Sequence, residues 1–128
     1  MPEPLEIPQS AAVCMVSGRM ILVSNKKRSR WVLPKGHLEP GDPDFASRAA
    51  REAWEEAGVR GELGPEAIGS YPYRKRGRDY RVRVFLIERC SLADNWPEQS
   101  KRERILVPPK QAARMVREPE LQRILNDL

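Results

Sequence analysis

The stretch "DPDFASRAAREAWEEAGV", residues 42–59, decides how the rest of the chain is read. Its alanines Ala46, Ala49, Ala50, Ala53 and Ala57 fall within roughly 100° of arc at 3.6 residues per turn, which predicts an amphipathic helix with one face in a core. Asp42 stands where an N-cap is wanted, with Pro43 at the first helical position, and Gly58 is placed to end the helix. On the same wheel Glu52, Glu55 and Glu56 span about 100° roughly opposite the alanines, so three carboxylates are expected on one exposed face.

That charge sits at the wrong end of the helix. Near a C-terminus it meets the negative pole of the macrodipole, and the Glu52/Glu56 pair repels by about 0.2–0.5 kcal/mol. Two kinds of compensation are available. Arginines supply one, because Arg48–Glu52 and Arg51–Glu55 are i, i+4 pairs and Arg60 lies just beyond the helix, although Arg before Glu is the weaker orientation. A hard divalent cation supplies the other, since Mg²⁺ and Mn²⁺ take oxygen ligands and are shared between a few carboxylates and a substrate's phosphates. The charge pattern by itself does not choose between them.

Upstream, "AAVCMVS" and "MILVSN" are β-rich runs on either side of "GR" at 18–19, a hairpin signal, followed by a basic loop and then "RWVLPKG". Downstream, "VRGELG" and "AIGSYPY" read as two extended segments, and "RKRGRD" (74–79) as a turn into the alternating strand "YRVRVFLIERC". The tail reads as a short strand, "RERILV", and one or two amphipathic helices in "PPKQAARMV" and "PELQRILNDL". Strands before and after a central helix, with helix at the end, indicate an α/β domain layered on a mixed sheet.

With 128 residues, one domain is expected. Hydrophobic residues make up 40% and charged residues 32% of the chain, with two cysteines, which points to a reduced, cytoplasmic protein in which Cys14 and Cys90 are strand-packing thiols. No basic-then-apolar leader opens the sequence, and no apolar run reaches the roughly 20 residues needed to span a bilayer, so no membrane role is expected. The net charge of +5 is concentrated in "NKKRSR" (25–30) and "YRKRGRDYRVR" (73–83), which favours a polyanionic partner, with solvated turns as the alternative; nearness of these runs to a catalytic motif would strengthen the first reading.

Residues 51–59 resemble the second half of the Nudix hydrolase signature, Arg-Glu-U-x-Glu-Glu-x-Gly-U with U apolar, and match it in full from Arg51 to Val59. The first half, Gly, five residues, Glu, seven residues, is met imperfectly. Gly36 and five residues lead to Asp42 in place of Glu, and eight residues, "PDFASRAA", separate Asp42 from Arg51. Asp42 is therefore expected to cap the helix, with Glu39 as an alternative upstream carboxylate.

The resemblance implies an α/β/α sandwich that hydrolyses a diphosphate linkage by attack of water on phosphorus with Mg²⁺ or Mn²⁺. It further implies that Glu52 and Glu56 are the main metal ligands, that Glu55 is a further ligand or the base, and that Arg51 orients a glutamate by a charge-assisted pair. Gly36, after Pro34 and Lys35, would let backbone approach substrate and metal. "LPKGHLEPGD" and "QAARMVREPELQRIL" are similar to short members acting on diphosphoinositol polyphosphates or dinucleoside polyphosphates.

For the substrate, Lys35 beside Gly36 suits a phosphate, with Lys26, Lys27, Arg28, Arg74, Lys75 and Arg76 as a rim. Arg81 and Arg83 share one strand face. His37 reads as a surface loop residue, and Trp31, Trp54 and Phe85 as packing; Tyr71 and Tyr73 are divided between packing and stacking on a base. Only 6% of the chain is aromatic, which favours a polyphosphate-rich small molecule over a nucleotide. The alternatives are a non-catalytic module that binds RNA or another polyanion, and hydrolysis of nucleoside triphosphates, nucleotide sugars or capped RNA ends.

Overall fold

The computed structural model describes residues 5–128. Its centre is β1 (Ile7–Val16), which pairs in parallel with β6 (Arg78–Leu92) from Ile7 opposite Tyr80 to Cys14 opposite Ile87. β5 (Val59–Lys75) runs antiparallel on the far side of β6. On its other edge β1 splits its partners. Gln9, Ser10 and Ala11 pair with β4 (Lys35–His37), whereas Met15 and Val16 pair with β2 (Arg19–Ser24), which also carries β3 (Trp31–Val32) and β7 (Arg104–Val107).

The period of two along each strand divides the core into layers. Ala12, Cys14, Ile21, Val23, Phe85 and Ile87 face α1 (Phe45–Ala57), which buries Ala46, Ala49, Ala53 and Ala57 against them. Ala11, Val13, Met20, Leu22, Val82 and Val84 face the other way, where α2 (Pro109–Met115) and α3 (Pro119–Asn126) contribute Ala112, Ala113, Leu121 and Leu125. The result is the expected α/β/α sandwich on a mixed sheet. Cys14 and the partly buried Cys90 share the α1-side core. Among the described residues, no helix is long and apolar enough to cross a membrane.

Several boundaries differ from the expectation. α1 is capped by Asp44, whose carboxylate accepts the Ser47 N–H at 2.7 Å, and not by Asp42. Asp42 is already occupied: its Oδ2 accepts the Glu39 N–H at 2.7 Å and the Arg48 Nε–H at 2.7 Å. Gly58 ends the helix as expected, in the left-handed region (φ 64°) with its N–H directed to the carbonyls of Ala53 and Trp54. The first turn is centred on Ser17 and Gly18, one residue early, with both φ angles positive as a two-residue hairpin of right-handed twist requires. "VRGELG" and "AIGSYPY" are one continuous strand, interrupted only by register shifts around Gly61, Pro65 and Gly69. Pro65 withholds a ladder N–H, which an edge strand tolerates.

Candidate active site

The three glutamates do not share an exposed face. Glu52 and Glu56 are 9% and 5% exposed, and only Glu55 remains on the outside of α1. The helical wheel contains the reason: Glu56 is seven positions from Ala49 and so only about 20° from it, which places Glu56 at the border of the buried stripe. Segment 33–37 then covers the pair. The Lys35 N–H approaches Glu56 Oε1 at 3.4 Å, and a Cβ on Gly36 would overlap the Glu52 carboxylate. Only glycine allows this close passage.

Burial pushes the Glu56 carboxyl up to about 8; the adjacent Glu52 carboxylate adds to the rise, while Arg102, with Nη2 3.6 Å from Glu56 Oε2, opposes it. Burial likewise pulls the Lys35 ammonium down, against the attraction of Glu56. Two buried carboxylates in mutual contact, crossed by a glycine that leaves no side chain between them and the cleft, are the oxygen donor set a hard divalent cation takes. Among the described residues, no three His, Cys, Asp or Glu side chains converge to cage a metal by themselves. Mg²⁺ commonly binds through one or two carboxylates plus substrate phosphates, so a two-carboxylate site fits it.

Arg48 lies beneath this pair and is 3% exposed. Its guanidinium forks onto Asp42 at 2.7 and 2.9 Å, donates to Glu52 Oε2 at 2.9 Å and reaches Glu39 at 3.3 Å. These bonds raise the arginine's proton affinity further and hold the Asp42 carboxyl below its usual range. Both candidate upstream carboxylates, Asp42 and Glu39, are thus directed at an arginine.

Beside Glu56 opens a cleft of about 670 Å³. Lys26, Lys27, Lys35, Lys75, Arg76, Arg102 and Arg117 line it, with Gly36 and Glu56 at its base. An aromatic ledge forms one wall: Tyr73 stacks on Tyr80 at 4.7 Å, His37 stacks on Tyr80 at 5.7 Å, and Lys35 Nζ sits 5.2 Å from the Tyr73 ring centre. Gln9 ties the ledge together, accepting the Tyr73 hydroxyl at 2.9 Å and bonding His37 Nδ1 at 3.0 Å.

A family model described as the NUDIX domain matches residues 7–128. The chain belongs to the Nudix family. Over 95 residues it is 34% identical to the diphosphoinositol polyphosphate phosphohydrolase 3-alpha of Mus musculus, covering 70% of this chain and 56% of that one. Over 119 residues it is 30% identical to the mitochondrial Nudix hydrolase 13 of Arabidopsis thaliana, covering 85% and 58%. The chain therefore spans little more than half the length of these curated relatives. Its fold is that of the C. elegans Ap4A hydrolase crystal structure, at 19% identity and a TM-score of 0.71, with 95% of each chain covered.

Within this Nudix fold the predicted site residues separate into two groups. Glu56, Gly36, Lys35 and Arg76 come together at the cleft, with Glu52 against Gly36, as do Lys26, Lys27 and Lys75 of the expected rim. The others lie elsewhere. Arg51, 67% exposed, pairs with Glu55 at 3.2 Å on the outer side of α1, and both line a separate surface hollow with Trp54 and Arg60. Arg74 pairs with Asp79, Arg81 with Glu6 and Glu120, and Arg28 with Glu103. Arg83 shares the strand face of Phe85 and Ile87 but is exposed, and lies over the Phe45 ring at 4.0 Å beside the start of α1, away from the cleft.

The aromatic expectations are sorted by the same parity. Tyr71 is 2% exposed in the core, while Tyr73 and the ledge residue His37 line the cleft. Arg102, Arg117 and Gln9 were not foreseen. Arg102 comes from the segment after β6, where it donates to Ser24 O and Glu98 as well as facing Glu56, and no local motif marks it. For Gln9 a signal existed, a polar residue inside an apolar strand run.

Proposed function

We propose that the chain is a metal-dependent pyrophosphohydrolase that cleaves a diphosphate linkage in a small, highly phosphorylated molecule, a diphosphoinositol polyphosphate or a dinucleoside polyphosphate. The observation that carries the reading is the juxtaposition of two buried carboxylates with a strongly basic cleft. Glu52 and Glu56 would hold Mg²⁺ or Mn²⁺, which when bound would neutralise phosphate oxygens and acidify a water. The chain's own part is positioning. Lys26, Lys27, Lys75 and Arg76 attract and orient the phosphates, Lys35 lies on the Glu56 side of the cleft, and Gly36 keeps the carboxylates open to it. Glu55 joins as a further ligand or as the base only by leaving Arg51.

The names of the relatives support this substrate class. A module that only binds RNA explains the basic rim but not the buried glutamate pair, whose repulsion and desolvation a cation would offset. The test is a substrate panel of diphosphoinositol polyphosphates, dinucleoside polyphosphates, nucleoside triphosphates, nucleotide sugars and capped RNA, with Mg²⁺ or Mn²⁺, read by phosphate release and product mass. Wild-type protein is expected to turn over one of the first two classes fastest, and Glu56→Gln to lose activity by orders of magnitude. Equal turnover by the two proteins would sink the proposal, as would metal-independent RNA binding without cleavage of any substrate.

A further inference from the structure

We infer that Arg48, and not the motif arginine Arg51, is the positioning residue that holds Glu52 for its cation. The inference rests on the hydrolase reading above and adds a residue that the Nudix signature does not contain. Residues i and i+4 lie on one face of a helix, whereas i and i+1 are about 100° apart. Arg48 is four residues before Glu52 and can reach its carboxylate; Arg51 is one residue before it and cannot easily do so.

The contacts follow that geometry. Arg48 Nη1 donates to Glu52 Oε2 at 2.9 Å, while Arg51 donates to Glu55 from a largely exposed position. A Cβ on Gly36 would collide with the same Glu52 carboxylate, closest to Oε1. The carboxylate is therefore gripped on Oε2, and its Oε1 faces the space that Gly36 leaves free. Arg48 is itself held from behind by the fork to Asp42, and Asp42 by the Glu39 N–H, so segment 36–42 touches Glu52 at both ends, directly through Gly36 and through Arg48 from Asp42.

The extra residue between Asp42 and Arg51 now has a physical role. It leaves Asp42 out of the cap position, which Asp44 takes, and sets it against Arg48 one turn earlier than the motif arginine. A planar guanidinium that bonds two carboxylates at once fixes orientation as well as charge, which an ammonium on a flexible stem does not.

The test measures Mn²⁺ binding to the full chain without substrate, by titration calorimetry and by the Mn²⁺ paramagnetic resonance signal, for Arg48→Ala, Arg48→Lys and Arg51→Ala, with thermal melts to confirm folding. Loss of a group that orients a ligand typically weakens metal affinity by about 10–100-fold. That loss is expected for Arg48→Ala even though removing a positive charge by itself would strengthen cation binding. Arg48→Lys is expected to keep most of the loss, and low-millimolar guanidinium to restore affinity to Arg48→Ala.

With the substrate found in the panel, kcat should fall with little change in KM, and Arg51→Ala should lose at least tenfold less affinity than Arg48→Ala. If the alanine variant does not fold, the lysine variant decides, and Asp42→Asn serves if neither does. Wild-type affinity in a folded Arg48 variant, or in Asp42→Asn where that variant decides, overturns the inference, and so does an equal loss for Arg51→Ala. If wild-type protein binds Mn²⁺ but cleaves nothing in the panel, the hydrolase reading fails alone, because the Arg48 assignment is still read from binding.

Discussion

Glu56 is the side chain on which pH acts most directly. Its carboxyl is raised from an ordinary 4.5 to about 8 by burial, so between those values the folded protein keeps a proton that the unfolded chain has released. Stability must then fall as pH rises through that window, and the loss is complete once Glu56 ionises in the folded state above about 8. A divalent cation needs the ionised form, so its affinity should rise with pH across the same range, with release of a proton. Melts from mildly acidic to mildly alkaline pH in chelator should show wild type losing stability relative to Glu56→Gln, and added Mg²⁺ recovering it. Parallel profiles for the two proteins would contradict this. Which glutamates are proposed to hold the cation could be read from residues 51–59, but the cover that buries Glu52 and Glu56 could not. An i, i+4 pair was visible for Arg48 as clearly as for Arg51, and nothing local told which arginine another segment would cover.

At the scale of the element, α1 depends on how it ends. Gly58 is left-handed, and a Cβ there would lie 2.6 Å from the Trp96 ring, whose Nε1–H is bonded to the Glu56 carbonyl at 3.2 Å. Gly58→Ala therefore meets both backbone strain and a collision that would displace the residue backing Glu56. A non-glycine residue held in that region costs about 1–3 kcal/mol, and a urea midpoint lowered accordingly is expected; an unchanged midpoint would contradict the account. The helix was readable from its alanine stripe and its glycine stop because both signals are local. Its start was misplaced because capping is a competition. Asp42 has the right side chain, but Arg48 and the Glu39 N–H take it, leaving Asp44 to cap. The two extended segments fused into β5 for a similar reason: pairing along β6 carries the chain through glycines and a proline that locally signal breaks.

Across the whole molecule, the basic cleft is assembled from parts distant in sequence. Lys26 and Lys27 come from the loop after β2, Lys75 and Arg76 from the β5–β6 turn, and Arg117 from between α2 and α3. Each exposed charge contact is worth about 0.2–1 kcal/mol, so Lys26→Ala/Lys27→Ala should raise KM for a polyphosphate substrate several-fold while changing kcat less. The effect should shrink at about half-molar salt, where the screening length falls well below 10 Å. A KM that ignores both the substitutions and salt would show that the rim does not meet the substrate. Arg81 and Arg83 belong to the same basic run yet point to other partners, since strand parity and packing, not charge density, decide which basic residues reach the cleft. The sequence by itself determined the α/β layering, the central helix and the family, because hydrophobic period and a contiguous motif are short-range patterns. Only the tertiary structure decided that Glu52 and Glu56 are buried together, that Arg48 is sealed in beside Glu52 while Arg51 stays outside, and that Arg102 faces Glu56. Those contacts join segments that the chain keeps far apart or arise when one segment covers another, and desolvation acts only once the cover is in place.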